Sequence, residues 1–93
     1  MRKYSYKDGE YGMYDMLKER YKIIGLKIAY YRKLRGYTQE YLASKVGITR
    51  TYLGQIERGN KGKSYSLETL LLIADALNID VNQLLSKIGR AHV

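Results

Sequence analysis

Residues 38–59, TQEYLASKVGITRTYLGQIERG, constrain the fold most strongly because they contain two short helical patterns on either side of Gly47. Thr38 and Thr49 are candidate N-caps, since a threonine hydroxyl can accept a hydrogen bond from a free backbone N–H of the first turn. Gly47 and Gly59 can adopt the left-handed conformation that ends a helix. Apolar residues between these signals recur at the spacing of one helix face and are expected to face the core: Leu42, Ala43, Val46, Leu53 and Ile56. The pattern predicts two short helices that pack at a sharp angle across a tight turn.

Helical periodicity continues on both sides of this region. Apolar residues separated by three or four positions predict a first helix that ends near Arg35, before Gly36: Tyr14, Leu17, Tyr21, Ile24, Ile28 and Tyr31. Ser66 is a candidate cap for a fourth helix, which would turn one apolar face to the core: Leu67, Leu70, Ile73, Ala74 and Leu77. Asn78 is expected to take the left-handed position that ends this helix.

Asp80 and Gln83 have the spacing of a capping box, which predicts a fifth helix from Val81 to about Lys87. No strand pattern or internal repeat is found, so the predicted fold class is all-α with five helices. Residues 1–21 would form an extension that is helical from about residue 14 and lengthens helix one. Residues 22–86 would form one domain with the two-helix motif at 38–58. A disordered tail would follow at 87–93, and its last five residues, GRAHV, are either native or a remnant of cloning.

The charge of the chain is strongly basic and unevenly distributed. It carries 17 basic and 9 acidic residues, a net charge of +8, which points to a polyanionic partner. Residues 22–36 hold five basic and no acidic residues, and residues 48–63 hold four basic and one acidic, whereas residues 64–85 hold three acidic and no basic. This polarity favours a basic working surface over a merely solvated one.

The composition argues against several classes of protein. Without cysteine there is no disulfide framework or thiolate metal site, so the reducing cytoplasm is the expected location and no metal or other cofactor is expected. The longest apolar run, Leu70–Ala74, is far shorter than a membrane span, and the amino-terminal letters lack the apolar stretch of a signal peptide. The single histidine, His92, lies in the predicted tail beside no placed partner, which makes an enzyme the weakest hypothesis.

The spacing of the two short helices is that of a helix-turn-helix, whose second helix can enter the DNA major groove. At about 100° per residue, five residues of this second helix fall on the side away from Leu53 and Ile56: Arg50, Thr51, Gly54, Gln55 and Arg58. An exposed arginine or glutamine is usually only solvated, but within this motif base contact is favoured. This face is therefore predicted to meet base edges and phosphates.

The segments YRKLRGYTQEYLASKVGITRTYLGQIERGN and SLETLLLIADALNIDVNQLL closely resemble the phage lambda-repressor and Cro-like helix-turn-helix regulators, also called the XRE type. The resemblance covers residues 24–85, about two thirds of the chain. It rests on several spaced signals: Arg32 before Gly36, Thr38–Gln39, Leu42–Ala43, Gly47, Ile56–Glu57 and the leucine-rich fourth helix. It implies a lambda-repressor-like domain that binds double-stranded DNA.

The resemblance also implies roles for individual residues. Arg50, Thr51 and Gln55 would read bases, and Arg32 and Glu57 would form an ion pair that holds helix one to the recognition helix. The DNA backbone would be held by a further set: Gln39, Tyr52, Arg58, Asn60 and Lys61.

Side-chain chemistry sharpens the base-reading roles. Arg50 can pair with guanine O6 and N7, Gln55 with adenine N6 and N7, and Thr51 can meet a thymine methyl, each bidentate pair discriminating by about 1–3 kcal/mol. Gly54 costs about 1 kcal/mol in a helix interior, so it either permits close approach to the DNA or is a tolerated defect. The loop from Gly59 to Ser66 is longer than the family norm, and Lys63 would join Lys61 on the phosphates.

Leu71 and Leu72 are apolar where the family often has polar residues, and such a patch usually needs a cover. Leu17 and Tyr21, on the extension of helix one, are predicted to cover it, within one subunit or across a dimer. A homodimer would present two recognition helices to half-sites about 34 Å apart. The alternative is an arm that contributes nothing.

Taken together, these features predict a transcriptional regulator that binds a double-stranded DNA operator by sequence. A homodimeric repressor of phage, mobile-element or restriction-modification-controller type is the favoured form. The alternative is a protein-interaction module, such as an antitoxin or adaptor, with a protein partner bound through the amino-terminal segment.

Overall fold

The computed structural model describes residues 12–59 and 64–86, and within them the chain forms five helices. The helices are α1 (Met13–Leu34), α2 (Gln39–Val46), α3 (Arg50–Arg58), α4 (Leu67–Leu77) and α5 (Val81–Leu85). The prediction of an all-α, five-helix fold is confirmed for this part of the chain. The first part of the predicted extension, the predicted tail and three predicted DNA-backbone contacts lie outside the described residues: 1–11, 87–93, Asn60, Lys61 and Lys63.

Four of the five helices begin after a residue whose side chain caps the first turn. The caps are those predicted from the sequence: Thr38, Thr49, Ser66 and Asp80. Both threonine hydroxyls accept a backbone N–H at 3.0 Å. Loss of one such cap typically costs about 0.5–2 kcal/mol, so these residues fix where each helix starts.

The helix ends also follow the sequence signals. Gly47, Gly59 and Asn78 have φ angles of 90°, 63° and 60°, in the left-handed region that ends a helix. The fifth helix is shorter than predicted, because its C-cap Ser86 already has extended backbone angles. The predicted end near Lys87 lies outside the described residues.

The core is built from the inner faces of all five helices. Ten apolar residues are buried: Ile28, Leu42, Ala43, Leu53, Ile56, Leu70, Ile73, Ala74, Leu77 and Leu84. The prediction that Leu67 belongs to this core is wrong, since its side chain is 66% exposed. Leu67 is the first residue of α4, and the first turn of that helix extends beyond the core residues that follow it.

The backbones of α1 and α3 approach each other closely at Gly25, a residue the sequence analysis did not single out. A Cβ atom on Gly25 would lie 2.4 Å from the carbonyl oxygen of Ile56 and 2.6 Å from that of Glu57. On the other side of the same crossing, a Cβ atom on Gly59 would lie 2.6 Å from the Cα atom of Lys22. Glycine at both positions allows α1 to lie directly against the end of α3.

The amino-terminal turns of α1 do not cover the apolar patch on α4. Leu71 and Leu72 remain 41% and 44% exposed, so the predicted cover within one subunit is wrong. Tyr21 instead packs edge-to-face against Tyr65, with ring centroids 5.2 Å apart. Leu17 and Tyr21 line an open groove of about 300 Å³ whose opposite wall is formed by the start of α4.

Candidate nucleic-acid interface

The outer face of α3 carries the side chains that the sequence predicts to read bases. Arg50, Thr51 and Arg58 are exposed and Gln55 is half-buried, while Leu53 and Ile56 point into the core. The caps and glycine ends described above fix α3 at a defined angle to α2, which packs behind its amino-terminal end. The sequence therefore places a rigid, short helix with polar side chains at the surface.

A buried ion pair ties α3 to α1. Arg32 Nε donates to Glu57 Oε2 at 2.7 Å, and a second guanidinium nitrogen donates to Glu57 Oε1 at 3.1 Å. Both residues are buried, and Arg32 also donates to the carbonyl oxygen of Tyr37 at 2.9 Å. This is the pair predicted to hold helix one to the second helix of the motif, and its two-pronged geometry fixes the orientation of both side chains.

The ion pair continues through Gln39 to Arg50. Gln39 Nε2 donates to Glu57 Oε1 at 2.9 Å, and Gln39 Oε1 accepts from Arg50 at 3.1 Å. From the resemblance, Gln39 is expected to contact a phosphate and Arg50 to read a base independently of it. The structure joins them, and because both polar atoms of the Gln39 amide are bonded, Arg50 is held in place before any DNA binds.

Gly54 does not lie open on the outer face as the sequence suggests. It is buried, because the side chains of Gln39 and Arg58 lie over it. A Cβ atom there would sit 3.3 Å from the guanidinium of Arg58 and 3.9 Å from Gln39 Nε2. The glycine therefore makes room for two polar side chains of the candidate interface, a role that helix geometry alone does not reveal.

Three tyrosines pack beside Gln55 at the other edge of α3. Tyr21, Tyr52 and Tyr65 line the same small cavity of about 10 Å³ as Gln55. The Tyr65 hydroxyl is buried and has no hydrogen-bond partner among the residues that the structure describes. Burial raises the pKa of this hydroxyl above its ordinary value, and the neighbouring Tyr21 and Tyr52 raise it further.

Replacing Tyr65 with phenylalanine should leave the melting temperature at neutral pH unchanged or higher, because it removes a buried hydroxyl without a partner. At high pH the same change should stabilise the protein relative to wild type. Tyr65 ionises near pH 10 when unfolded but at higher pH when folded, so wild-type stability is intact below pH 10 and falls above it. Thermal unfolding of both proteins from pH 7 to pH 11 checks this, and parallel curves throughout would contradict it.

Not all of the basic residues near the motif are available to a polyanion. Arg35 donates from Nε to the carbonyl oxygen of Leu77 at 2.8 Å, and Lys27 donates to Ser86 Oγ at 2.8 Å and to its carbonyl oxygen. Both therefore satisfy carbonyl groups at the carboxyl ends of α4 and α5, where cations are favoured. The exposed cations on α3 itself, Arg50 and Arg58, give the outer face its positive charge.

Other types of site are not found in the described part of the chain. Residues 12–59 and 64–86 contain no cluster of three or more metal-ligating side chains. Among these same residues, no helix has the length and hydropathy needed to cross a membrane.

Two short helices at a fixed angle, with the second presenting polar and basic side chains outward, define a helix-turn-helix DNA-binding module. The helix-turn-helix family model matches residues 28–84, which is more than half of the chain. The chain belongs to the helix-turn-helix family of lambda-repressor-like transcriptional regulators, as the sequence resemblance predicts.

Three known proteins illustrate the relationship. The chain is 45% identical over 62 residues to YazB of Bacillus subtilis, an uncharacterized helix-turn-helix transcriptional regulator, covering 67% of this chain and 87% of YazB. It is similar to the crystal structure of the restriction-modification controller C.AhdI from Aeromonas hydrophila, with 33% identity, a TM-score of 0.66 and coverage of 71% and 97%. It also resembles SinR, a regulator of biofilm formation, in complex with DNA, with 38% identity, a TM-score of 0.62 and coverage of 68% and 98%.

Proposed function

We propose that the chain is a homodimeric repressor that binds a two-fold symmetric operator in double-stranded DNA. The observation that carries the proposal is the outer face of α3, where Arg50 is exposed yet held by Gln39 and the buried ion pair behind it. The similarity to SinR in complex with DNA and to a restriction-modification controller supports the same function. Such a regulator acts in the cytoplasm, where its operator is found.

The proposed base readers differ in how firmly they are held. Arg50 would pair with guanine through its guanidinium, while Thr51 and Gln55 would meet a thymine methyl and an adenine edge. Tyr52 and Arg58 would contact the DNA backbone at the edge of the same face. Gln39 would act mainly by positioning Arg50, because its amide oxygen and nitrogen are both occupied.

The proposed dimer would use the apolar surfaces that remain uncovered in one subunit. Leu17 and Tyr21 line the groove between α1 and α4, and Leu71 and Leu72 are exposed on α4. Exposed apolar residues that lie together in this way favour contact with a second protein surface. A second copy seated there would bring two copies of α3 onto one DNA duplex.

The first experiment is selection of bound duplexes from a random library at fixed salt. The proposal predicts a two-fold palindrome with half-sites one helical turn apart. A single unpaired motif would keep DNA reading but contradict the symmetric dimer. No enrichment, together with no binding at low salt, would contradict DNA reading and favour a protein-interaction module.

Replacing Arg50 with alanine should abolish the preference for one base pair in each half-site. The expected loss is about 1–3 kcal/mol of discrimination at that position, with little change in affinity for unrelated DNA. Arg50→Lys is the matched control, because it keeps the charge but cannot form the two-pronged pair with guanine. Fluorescence anisotropy on duplexes substituted at each position measures both variants, and an unchanged preference in Arg50→Ala would remove Arg50 from the readers.

A further inference from the structure

The outer side of α1 carries an apolar stripe that no other described helix covers, although within α1 Tyr30 packs edge-to-face against its neighbour Tyr31, with ring centroids 5.0 Å apart. We define this outer stripe as Leu26, Tyr30 and Leu34, which are 59%, 60% and 60% exposed. Each follows the last by four positions, so the three side chains lie in one row along the helix for about 12 Å. Ile23, half-buried, continues the row toward the amino end of α1.

The outer stripe belongs neither to the core nor to the DNA-binding face. Gly25 and Arg32 mark the side of α1 that lies against α3, and Ile28 marks the side that enters the core. By helical periodicity, Leu26 and Tyr30 lie on the opposite side of the helix from these residues. A molecule bound along the outer stripe would therefore leave the outer face of α3 uncovered.

Basic residues border the outer stripe on both edges. Lys22 and Lys33 lie along one edge, and Arg20 and Lys27 lie along the other. Lys27 is engaged at the end of α5, but Lys22 and Lys33 are exposed and form no ion pair with any residue in the described ranges. Residues 22–36 contain no acidic residue, so the surface around Leu26, Tyr30 and Leu34 is predominantly positive, and the exposed Glu19 lies beyond the amino end of the stripe, beside Arg20.

We propose that the outer stripe binds an amphipathic helix of another protein whose flanks are acidic. A single row of large apolar side chains at four-residue intervals is the pattern that packs against one partner helix. The basic edges favour glutamates and aspartates beside the apolar row of that partner, through complementary charge.

Two other occupants, a second copy of the chain and a membrane surface, fit the outer stripe less well. If a second copy of the chain bound along the outer stripe, Lys22 and Lys33 of both subunits would surround the same contact. Their like charges would repel each other. A membrane surface would need a broad apolar face, whereas the outer stripe is one side chain wide. The inference is independent of the proposed operator and dimer, because it concerns a different side of α1.

The test uses two synthetic helical peptides with the same leucine row, one flanked by glutamates and one by lysines. Fluorescence titration with the full chain should show binding of the glutamate peptide only. Leu26→Ser and Tyr30→Ser should each weaken that binding by at least about tenfold, since they remove central apolar anchors. The double variant Lys22→Glu, Lys33→Glu should reverse the preference toward the lysine peptide.

Matched controls separate the outer stripe from the other surfaces. Leu72→Ser changes another exposed leucine, on α4, and Arg58→Ala removes a cation from the DNA-binding face, so neither should change peptide affinity. Leu26 and Tyr30 are exposed, so the Leu26→Ser and Tyr30→Ser variants should fold and should bind the selected operator with unchanged affinity. That operator measurement distinguishes failure of this proposal from failure of the proposed function.

Three results would overturn the proposal. Equal affinity for the two peptides, or affinity that the stripe variants do not change, would show that the surface does not select an acidic helix. Sedimentation showing a dimer that Leu26→Ser dissociates would assign the stripe to a second copy. Binding to vesicles of anionic phospholipid that Tyr30→Ser abolishes would assign it to a membrane surface.

Discussion

Replacing Gly25 with alanine should lower the free energy of unfolding by about 2–3 kcal/mol. The added methyl group would lie 2.4 Å from the carbonyl oxygen of Ile56 and 2.6 Å from that of Glu57. Both obstacles are backbone atoms of α3, which cannot rotate away as a side chain can. The helices must therefore separate, and the core between them loosens.

The direction of the change in stability distinguishes a close backbone contact from an open helical position. In an open helical position, replacing glycine with alanine stabilises a protein by up to about 1 kcal/mol, because glycine loses more backbone freedom on folding. Gly54→Ala is the matched control, since its methyl group would meet the movable end of Arg58 at 3.3 Å and would lie at ordinary contact distance, 3.9 Å, from Gln39 Nε2. We expect Gly54→Ala to be close to neutral, or slightly stabilising.

Thermal and urea-induced unfolding of the two variants measure the difference. For a domain of this size, a loss of 2–3 kcal/mol corresponds to a fall in Tm of roughly 10–20 °C. Gly25→Ala with wild-type stability would show that α1 and α3 are not in backbone contact at this position.

Removing the carboxylate of Glu57 should cost about 3–5 kcal/mol, a larger loss than Gly25→Ala. In Glu57→Ala the buried guanidinium of Arg32 keeps only the carbonyl oxygen of Tyr37 as a partner. A buried charge without its counter-charge is strongly unfavourable, and Gln39 loses its acceptor at the same time. Urea-induced unfolding should show a large shift of the midpoint to lower concentration.

A double variant separates stability from DNA recognition. Arg32→Met with Glu57→Leu replaces both charges with apolar side chains, a change that is often neutral for stability. We expect it to recover most of the loss while base discrimination at the position read by Arg50 stays reduced, because Gln39 no longer has a fixed orientation. If the double variant discriminates like wild type, the ion pair serves stability alone.

The helix boundaries were largely predictable because each depends on local chemistry. Thr38, Thr49 and Ser66 accept hydrogen bonds from nearby backbone groups, and Asn78 takes a left-handed angle. These signals operate within a few residues along the chain, so a single sequence is enough to reveal them. The all-α class and the helix-turn-helix family follow from the same signals in order.

Contacts between distant segments were predicted less well, as the two helical glycines show. A glycine in a helix interior indicates that a neighbouring group lies where a Cβ atom would be, and both Gly25 and Gly54 show this signal. At Gly54 the signal led to two expectations, close approach to DNA or a tolerated defect, and no expectation was drawn from Gly25. In the structure, the backbone of α3 occupies it at Gly25 and two side chains occupy it at Gly54, which no local pattern specifies.

The prediction that Leu67 on α4 faces the core was wrong for a similar reason. Leu67 satisfies the periodicity of a buried face, yet it stands at the helix start, where it is 66% exposed. Periodicity gives the direction of a side chain but not whether another element is present to cover it. The link from Gln39 to Arg50 was also missed, since it depends on the angle between α2 and α3.

The network from Arg32 to Arg50 has a consequence for how this regulator can diverge. Position 50 is coupled through Gln39 to two buried charges, so a substitution there also changes the hydrogen bonding of Gln39. The side chains of Thr51 and Gln55 take no part in this chain of hydrogen bonds. If Thr51 and Gln55 read bases as proposed, two copies could after gene duplication acquire different operators first through positions 51 and 55, without altering the hydrogen bonds that hold Arg50.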